Sequence, residues 1–279
     1  MTYSILNKDD FNKISSALKK IDYGLVLVHS DIFYGFKFNL RLSRQQLLEA
    51  HWLSLKNLVD EKPVWMPAFN YDFPKTKAFD IVNSKSQVGV LPEFFRTKIA
   101  KWRSPVPIFS FAGEDEKPII QQEITIDPFD NSSLFHLLTK NNGLIIYYGA
   151  EINASTIIHY CERMSGVLCY RYDKFFKGNV CDAEGILREV ILKYHVRPKN
   201  YLLEYDWELF ERELMDNGVL LSFDEDKFHI KIIKANDLAN YWISKMKADK
   251  LALLNTKTKQ WVFPKLEQLG RAFQLSDFE

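Results

Sequence analysis

The 279-residue sequence is poor in cysteine, with only Cys161, Cys169 and Cys181. An odd number without CxxC spacing excludes a disulfide framework and a cysteine zinc site, and it fits a reducing cytoplasm. An excess of either charge is also missing. Lys and Arg total 37 against 36 Asp and Glu, a formal net of +1. That balance carries no nucleic-acid footprint and no acidic tail. No apolar run nears the roughly 20 residues needed to span a bilayer. The opening stretch, Met1 to Ile14, is too polar and charged for a signal peptide. No repeat, low-complexity tract or linker interrupts residues 1–279, so a single domain is expected. No G-x-S-x-G elbow accompanies Ser30 or Ser110, which disfavours a serine hydrolase.

What is present suits a large core: 47% of residues are hydrophobic and 14% aromatic. Phe11, Ile14 and Leu18 fall on one face of a helix expected over residues 8–20. Gly24 to Val28 reads as a buried strand, and Leu42 to Asp60 as a helix capped by Ser43. Pro63 to Pro67 is a short strand, followed by an irregular aromatic and polar loop to Asp80 that can line a pocket. Val88 to Lys98 reads as a helix. Two prolines forbid a central strand across Trp102 to Gly113. A helix begins at Ser133 and is closed by Asn141-Asn142-Gly143. Tyr170 to Tyr172 begins a connection containing Gly178, Leu187 to Val196 is a strand, and Trp207 to Met215 a helix ended by Asn217-Gly218. Phe228 to Ile233 alternates as a strand, Ala235 to Leu254 is helical, and the tail beyond Asn255 is basic and peripheral, with Trp261 and Phe263 available to dock it. The loose alternation predicts an α/β (or α+β) fold, a layered mixed β-sheet flanked by helices.

The chemistry concentrates in Leu144 to Met164. Leu144 to Tyr148 is an apolar run of strand length, Gly149 breaks it, and Asn153 to Ser155 supply capping residues. Thr156, His159 and Glu162 then recur every third residue and share one side of a helix, while Ile157, Ile158 and Cys161 face the core. A carboxylate one turn along can orient the imidazole, and the imidazole can take a proton from an attacking nitrogen. A hydroxyl near the helix N-terminus can stabilise charge on a carbonyl oxygen. This is a constellation for acyl transfer to an amine. Taken alone, the same spacing also describes an ordinary polar helix face.

Several blocks in order resemble the aminoglycoside 3-N-acetyltransferase family of CoA-dependent enzymes. Val28-His29-Ser30-Asp31 with Gly35 is similar to its first strand-end motif. Met66-Pro67-Ala68-Phe69-Asn70-Tyr71-Asp72 resembles its MPTF-type loop, and Val88-Gly89 through Leu91-Pro92-Glu93 to Phe95-Arg96 its next helix start. Arg103-Ser104 through Pro107 and Ser110 resembles its RS-x-HP segment. Ser133 with Phe135, and Gly149 to Glu162, complete the set, the last resembling N-x-x-T-x-x-H-x-x-E. The blocks span residues 24 to 175. One departure is Val106, where the family has His before the proline. Arg163 to Leu168 lacks the small residue that the pyrophosphate motif of the GCN5-related fold requires, so that fold is not expected.

The resemblance implies an N-acyltransferase with acyl-CoA as co-substrate and no metal. It implies His159 and Glu162 as the base pair and Thr156 at the oxyanion. It places His29, Ser30, Asp31, Gly35, Arg103, Ser104 and Ser110 near CoA, and Asn70, Tyr71 and Asp72 in the acceptor loop. No nucleic-acid or membrane partner is expected, and a homodimer is permitted. A polycationic aminoglycoside calls for a strongly acidic cleft, whereas this chain is near neutral and Lys75 and Lys77 follow Asp72. The expected acceptor is therefore a nucleotide-linked amino sugar, such as a dTDP sugar for O-antigen or lipopolysaccharide assembly. The alternatives are an aminoglycoside antibiotic or, in another class, a non-catalytic CoA-binding protein or a serine hydrolase on this scaffold.

Overall fold

The computed structural model describes residues 6, 8–38, 41–119, 124–225 and 228–279. In chain order the helices are α1 (Lys8–Leu18), α2 (Arg44–Leu58), α3 (Phe73–Thr76), α4 (Val90–Lys98), α5 (Leu134–Lys140), α6 (Ile157–Ser165), α7 (Trp207–Asp216), α8 (Ala235–Ala248) and α9 (Thr256–Leu269). The strands are β1 (Val26–Ser30), β2 (Val64–Pro67), β3 (Ala78–Asp80), β4 (Trp102–Arg103), β5 (Phe111–Gly113), β6 (Thr125–Ile126), β7 (Leu144–Tyr148), β8 (Tyr172–Cys181), β9 (Leu187–Val196), β10 (Leu221–Glu225) and β11 (Phe228–Lys234).

Seven strands form one mixed sheet in the order β10-β11-β7-β1-β2-β5-β4. Its centre is parallel, with β1 paired to both β2 and β7. Every residue of β7 is buried, because helices or a second sheet cover both faces there. Val26, Val28, Leu144, Ile146 and Tyr148 pack against Ile14 and Leu18 of α1, Leu48, Trp52 and Leu55 of α2 and Leu91 and Phe95 of α4. The alternate residues Leu25, Leu27, Ile145 and Tyr147 meet the other core, which includes Leu134 and Leu138 of α5, Ile157, Ile158 and Cys161 of α6 and Trp242 of α8. The pleat therefore sorts one strand's side chains between two cores. A second sheet, β3-β8-β9-β6, is built on the long antiparallel pair β8–β9.

The expected mixed sheet flanked by helices is present, with differences of detail. The strand expected over Gly24 to Val28 lies two residues later, so His29 and Ser30 belong to it. Ser43 caps α2 through a capping box with Gln46. The Pro-rich segment forms only short β4 and β5 at the sheet edge. The loop from Pro67 contains α3 and β3. The connection after Tyr170 becomes the ten-residue strand β8, and β10 adds a strand that no sequence pattern marks. The helix starting at Ala235 ends at Ala248. The tail is no loose periphery: it forms α9, which buries Thr258, Val262 and Leu266 despite Pro264.

Gly149 directs the chain from β7 towards α6. Its φ is +69°, and a Cβ there would lie 2.0 Å from the Asp31 carbonyl oxygen. Its N–H donates to the His229 carbonyl at 2.7 Å, so the turn cannot slide away from the sheet. Gly149→Ala is expected to destabilise the protein by about 2–4 kcal/mol, combining left-handed strain with overpacking. Urea unfolding checks this, and a loss below about 1 kcal/mol would show that the turn relaxes freely.

Candidate active site

Parallel β1, β2 and β7 place their C-terminal ends together, and Gly149 carries the chain from there into a short 3-10 turn, Ile152–Ala154. Ser155 is not free to cap the next helix. Its hydroxyl donates to the Ile152 carbonyl and pairs with the Tyr147 phenol. Thr156 takes the N-cap position instead, without a side-chain capping bond. His159 follows in the first turn of α6 and Glu162 in the next. Gly166, at φ +71°, ends the helix.

Glu162 is fully buried, and four donors reach it. His159 Nδ1 lies 2.8 Å and His195 Nε2 3.0 Å from the same oxygen, Oε2. Arg171 Nε donates to Oε1 at 3.1 Å and the Tyr205 hydroxyl at 2.7 Å. Arg171 also donates to the Tyr205 oxygen at 2.7 Å. Burial by itself would raise the carboxyl's proton affinity. The Arg171 charge and the bonds from both histidines outweigh it and hold Glu162 well below the usual carboxylate range. Glu162 is a fixed anion in this setting.

An ionised carboxylate only accepts, so each imidazole must present an N–H to it. His159 therefore carries its proton on Nδ1 and leaves the Nε2 lone pair free. Its side chain keeps 24% of its surface open. Burial lowers the proton affinity of His159, Glu162 opposes that shift, and Arg171 adds to it. The result is an oriented, largely unprotonated base. His195 is enclosed, pushed down to about 4 chiefly by burial, and its Nδ1 has no partner among the described residues. Phe129 closes the site, with its ring 5.3 Å from His159 and 5.4 Å from His195.

His159, Glu162 and His195 offer three ligand atoms within 4.8 Å of one another. A divalent cation fits poorly there. Arg171 already holds the carboxylate, and the nitrogens nearest it carry protons directed at Glu162.

The other expected site residues separate into two groups. Ser30 Oγ is buried without a partner among the described residues, as is Ser86 Oγ. Ser30 abuts the start of α4, its carbonyl oxygen 3.5 Å from a Cβ built on Gly89. A cavity of about 730 Å³ lies at the start of α4, its polar lining including Arg44, Lys85, Ser86, Gln87, Glu93 and Lys98 but not Ser30. The Ser86 hydroxyl, the cationic side chains and the helix N-terminus offer donors to a phosphate group, with the Glu93 carboxylate opposing its charge. His29 points to the opposite side of the sheet, stacked on Tyr147, with Nε2 unpartnered among the described residues. It faces the core that contains α6.

The second group is committed to the scaffold. Arg103 is buried and donates to Ser110 Oγ at 3.0 Å and to the carbonyls of Ile81, Ser84 and Ala68. Ser110 donates to the Ala68 carbonyl at 2.7 Å, and Ser104 Oγ accepts from the Phe111 N–H at 3.0 Å. These three residues, expected near CoA, hold loops together through these bonds. Asp31 caps a 3-10 turn through the Phe33 N–H. Gly35 is there for packing, since a Cβ would meet the Tyr148 ring at 2.4 Å. Asn70 and Asp72 tie their loop to Lys85 and Gln87, and Tyr71 remains half exposed. Arg171, His195 and Tyr205 escape a reading of the sequence. His195 gives no distinct local signal, because its strand also carries Arg188, Glu189 and Lys193.

A sequence profile of the family described as aminoglycoside 3-N-acetyltransferase matches residues 48–247. No curated protein matches the chain. Among solved structures, AAC-IIIb bound to CoASH aligns at TM-score 0.65 and 16% identity, covering 85% of this chain and 96% of that one. The YokD protein of Bacillus subtilis aligns at 0.64 and 16%, covering 87% and 94%. Apo aminoglycoside acetyltransferase AAC(3)-IVa aligns at 0.62 and 17%, covering 92% and 96%.

Replacing the central carboxylate tests the cluster directly. Glu162→Gln leaves a buried guanidinium without its counter-charge and should lower stability by about 3–5 kcal/mol in urea unfolding. A loss under about 1 kcal/mol would mean that Arg171 finds water or another partner.

Proposed function

The chain belongs to the aminoglycoside 3-N-acetyltransferase family, and from that premise we propose that it transfers an acetyl group from acetyl-CoA to an amine of an aminoglycoside-type acceptor. The observation that carries the reading is the His159 imidazole, fixed through Nδ1 by a buried carboxylate while its side chain stays partly exposed. The CoA phosphates are assigned to the start of α4, beside Ser30, Ser86, Lys85 and Arg44. The pantetheine arm then crosses the strand ends past His29 towards His159. His159 Nε2 removes a proton as the acceptor nitrogen attacks the thioester carbon, and Glu162 stabilises the imidazolium that forms. Thr156, at the N-terminus of α6, is the proposed donor to the carbonyl oxygen as charge develops. The C–S bond breaks, and His159 returns the proton to the departing sulfur. Such an enzyme works where CoA is held, in the cytoplasm, which agrees with three unpaired thiols.

The acceptor expected from charge balance, a nucleotide-linked amino sugar, yields first place to the antibiotic. The family favours an aminoglycoside, and AAC(3)-IVa has been solved with apramycin and with a gentamicin. The nucleotide-linked sugar stays as the second reading because of one feature. An open cavity of about 510 Å³ beside β8 and β9 is lined by Lys174, Arg197 and Lys199 against only Glu279. Rings lead from it to the base, from Phe176 to Tyr194 at 5.2 Å, to Phe109 at 5.2 Å, to Phe129 at 4.8 Å and to His159 at 5.3 Å. A diphosphate suits such a surface.

Thiol release from acetyl-CoA, measured against a panel of aminoglycosides and nucleotide-linked amino sugars, separates the readings. Aminoglycosides are expected to turn over faster, and turnover of the nucleotide-linked sugars alone would install the second reading. His159→Ala should bind acetyl-CoA and lose at least about a hundredfold in kcat. Unchanged turnover would remove His159 from the mechanism.

A further inference from the structure

Both imidazoles in the cluster donate to the same oxygen. Glu162 Oε2 receives His159 Nδ1 at 2.8 Å and His195 Nε2 at 3.0 Å, while Oε1 serves Arg171 and Tyr205. A single carboxylate oxygen shared by two N–H groups gives less of its charge to either. His195 is the enclosed member of the pair, its side chain 1% exposed against 24% for His159. The rings stand 5.6 Å apart, and Phe129 touches both.

We infer that His195 is a positioning residue that keeps His159 in its basic form, by taking a share of the carboxylate oxygen that would otherwise stabilise the imidazolium. Two consequences are built in. His195 pins the Glu162 side chain from the β9 side, so His159 cannot exchange its Nδ1 contact for an Nε2 contact. It also limits how strongly Glu162 raises the proton affinity of His159, leaving the ring unprotonated near neutral pH. The charged and titratable groups around this pair are few. Glu162 and Cys161 come from α6, Tyr170 and Arg171 from the segment before β8, and Tyr205 from the segment before α7. Arg171 already lowers the proton affinity of His159, and a neutral His195 acts in the same direction without adding a second buried charge. A lysine or arginine in its place would bring a full charge into a closed site.

The inference rests on His159 being the base, and its test is read both with and without catalysis. Ring-nitrogen and ring-carbon NMR of the full-length protein reports each histidine's tautomer and titration. At pH 7 His195 should be neutral with its proton on Nε2, and His159 should carry its proton on Nδ1. In His195→Leu the His159 midpoint should rise by about half to one pH unit, since Glu162 is then shared with one fewer donor. The acid limb of kcat/KM should rise with it, and KM should change little. His195→Gln can place an amide N–H near the same oxygen and should restore both values to within about 0.2 units of wild type. A purely structural role would lower Tm without moving the midpoint, and that outcome overturns the inference. So would a charged or Nδ1-protonated His195 at pH 7, or a His195→Gln titration matching that of His195→Leu. If His195→Leu fails to fold, the wild-type tautomers and the His195→Gln titration still decide. The NMR arm needs no acceptor, so an absence of acyl transfer would sink the proposed function while the histidine titration stands or falls separately.

Discussion

Glu162 holds a negative charge where water does not reach, and the folded chain answers that charge from several directions. Leaving it uncompensated would cost several kcal/mol, a large part of a typical domain's net stability. Its neighbours therefore cannot be chosen independently. Arg171 supplies the counter-charge, while Tyr205 and the two imidazoles supply oriented N–H and O–H groups. The orientation of His159 follows from the same requirement. A carboxylate that must accept at every lone pair dictates which imidazole nitrogen carries the proton.

The two sheets deliver these partners from opposite sides. The large sheet brings β7 and Gly149 to the strand ends and starts α6 beside them. The second sheet brings β8 and β9, whose register sets His195 across from Asp173, two residues after Arg171. The pair thereby clasps α6 at the level of Glu162. Next along the helix, Arg163 bridges Asp127 at 3.0 Å and Asp173 at 2.6 Å and fastens α6 to both β8 and the segment after β6. Phe129, adjoining that segment, shields the imidazoles, so the helix, the hairpin and the aromatic cover form one rigid support for the base.

Much of this is readable along the chain. Apolar runs locate β2, β7 and β11 closely, and a serine ahead of helical periodicity locates α2 and α5, because these signals act over a few residues. β8 escapes notice since Gly178 reads as a break. In the fold that glycine admits the Lys77 carbonyl, which a Cβ would meet at 2.5 Å, so it serves close approach within a continuous strand. The Arg103 segment is locally ambiguous for a similar reason. A buried arginine bonded to three carbonyls has the same local sequence as one that grips a phosphate.

Taken alone, the amino-acid order determined that a hydroxyl, an imidazole and a carboxylate share one side of a short helix behind a buried strand. Helix periodicity is local, and three residues per step suffice to state it. Only the tertiary structure decided that the carboxylate is fully enclosed and that Arg171, His195 and Tyr205 meet it. His195 lies 33 residues beyond Glu162 and Tyr205 lies 43. Contacts at that separation depend on strand register and sheet packing, which no pattern of nearby residues specifies.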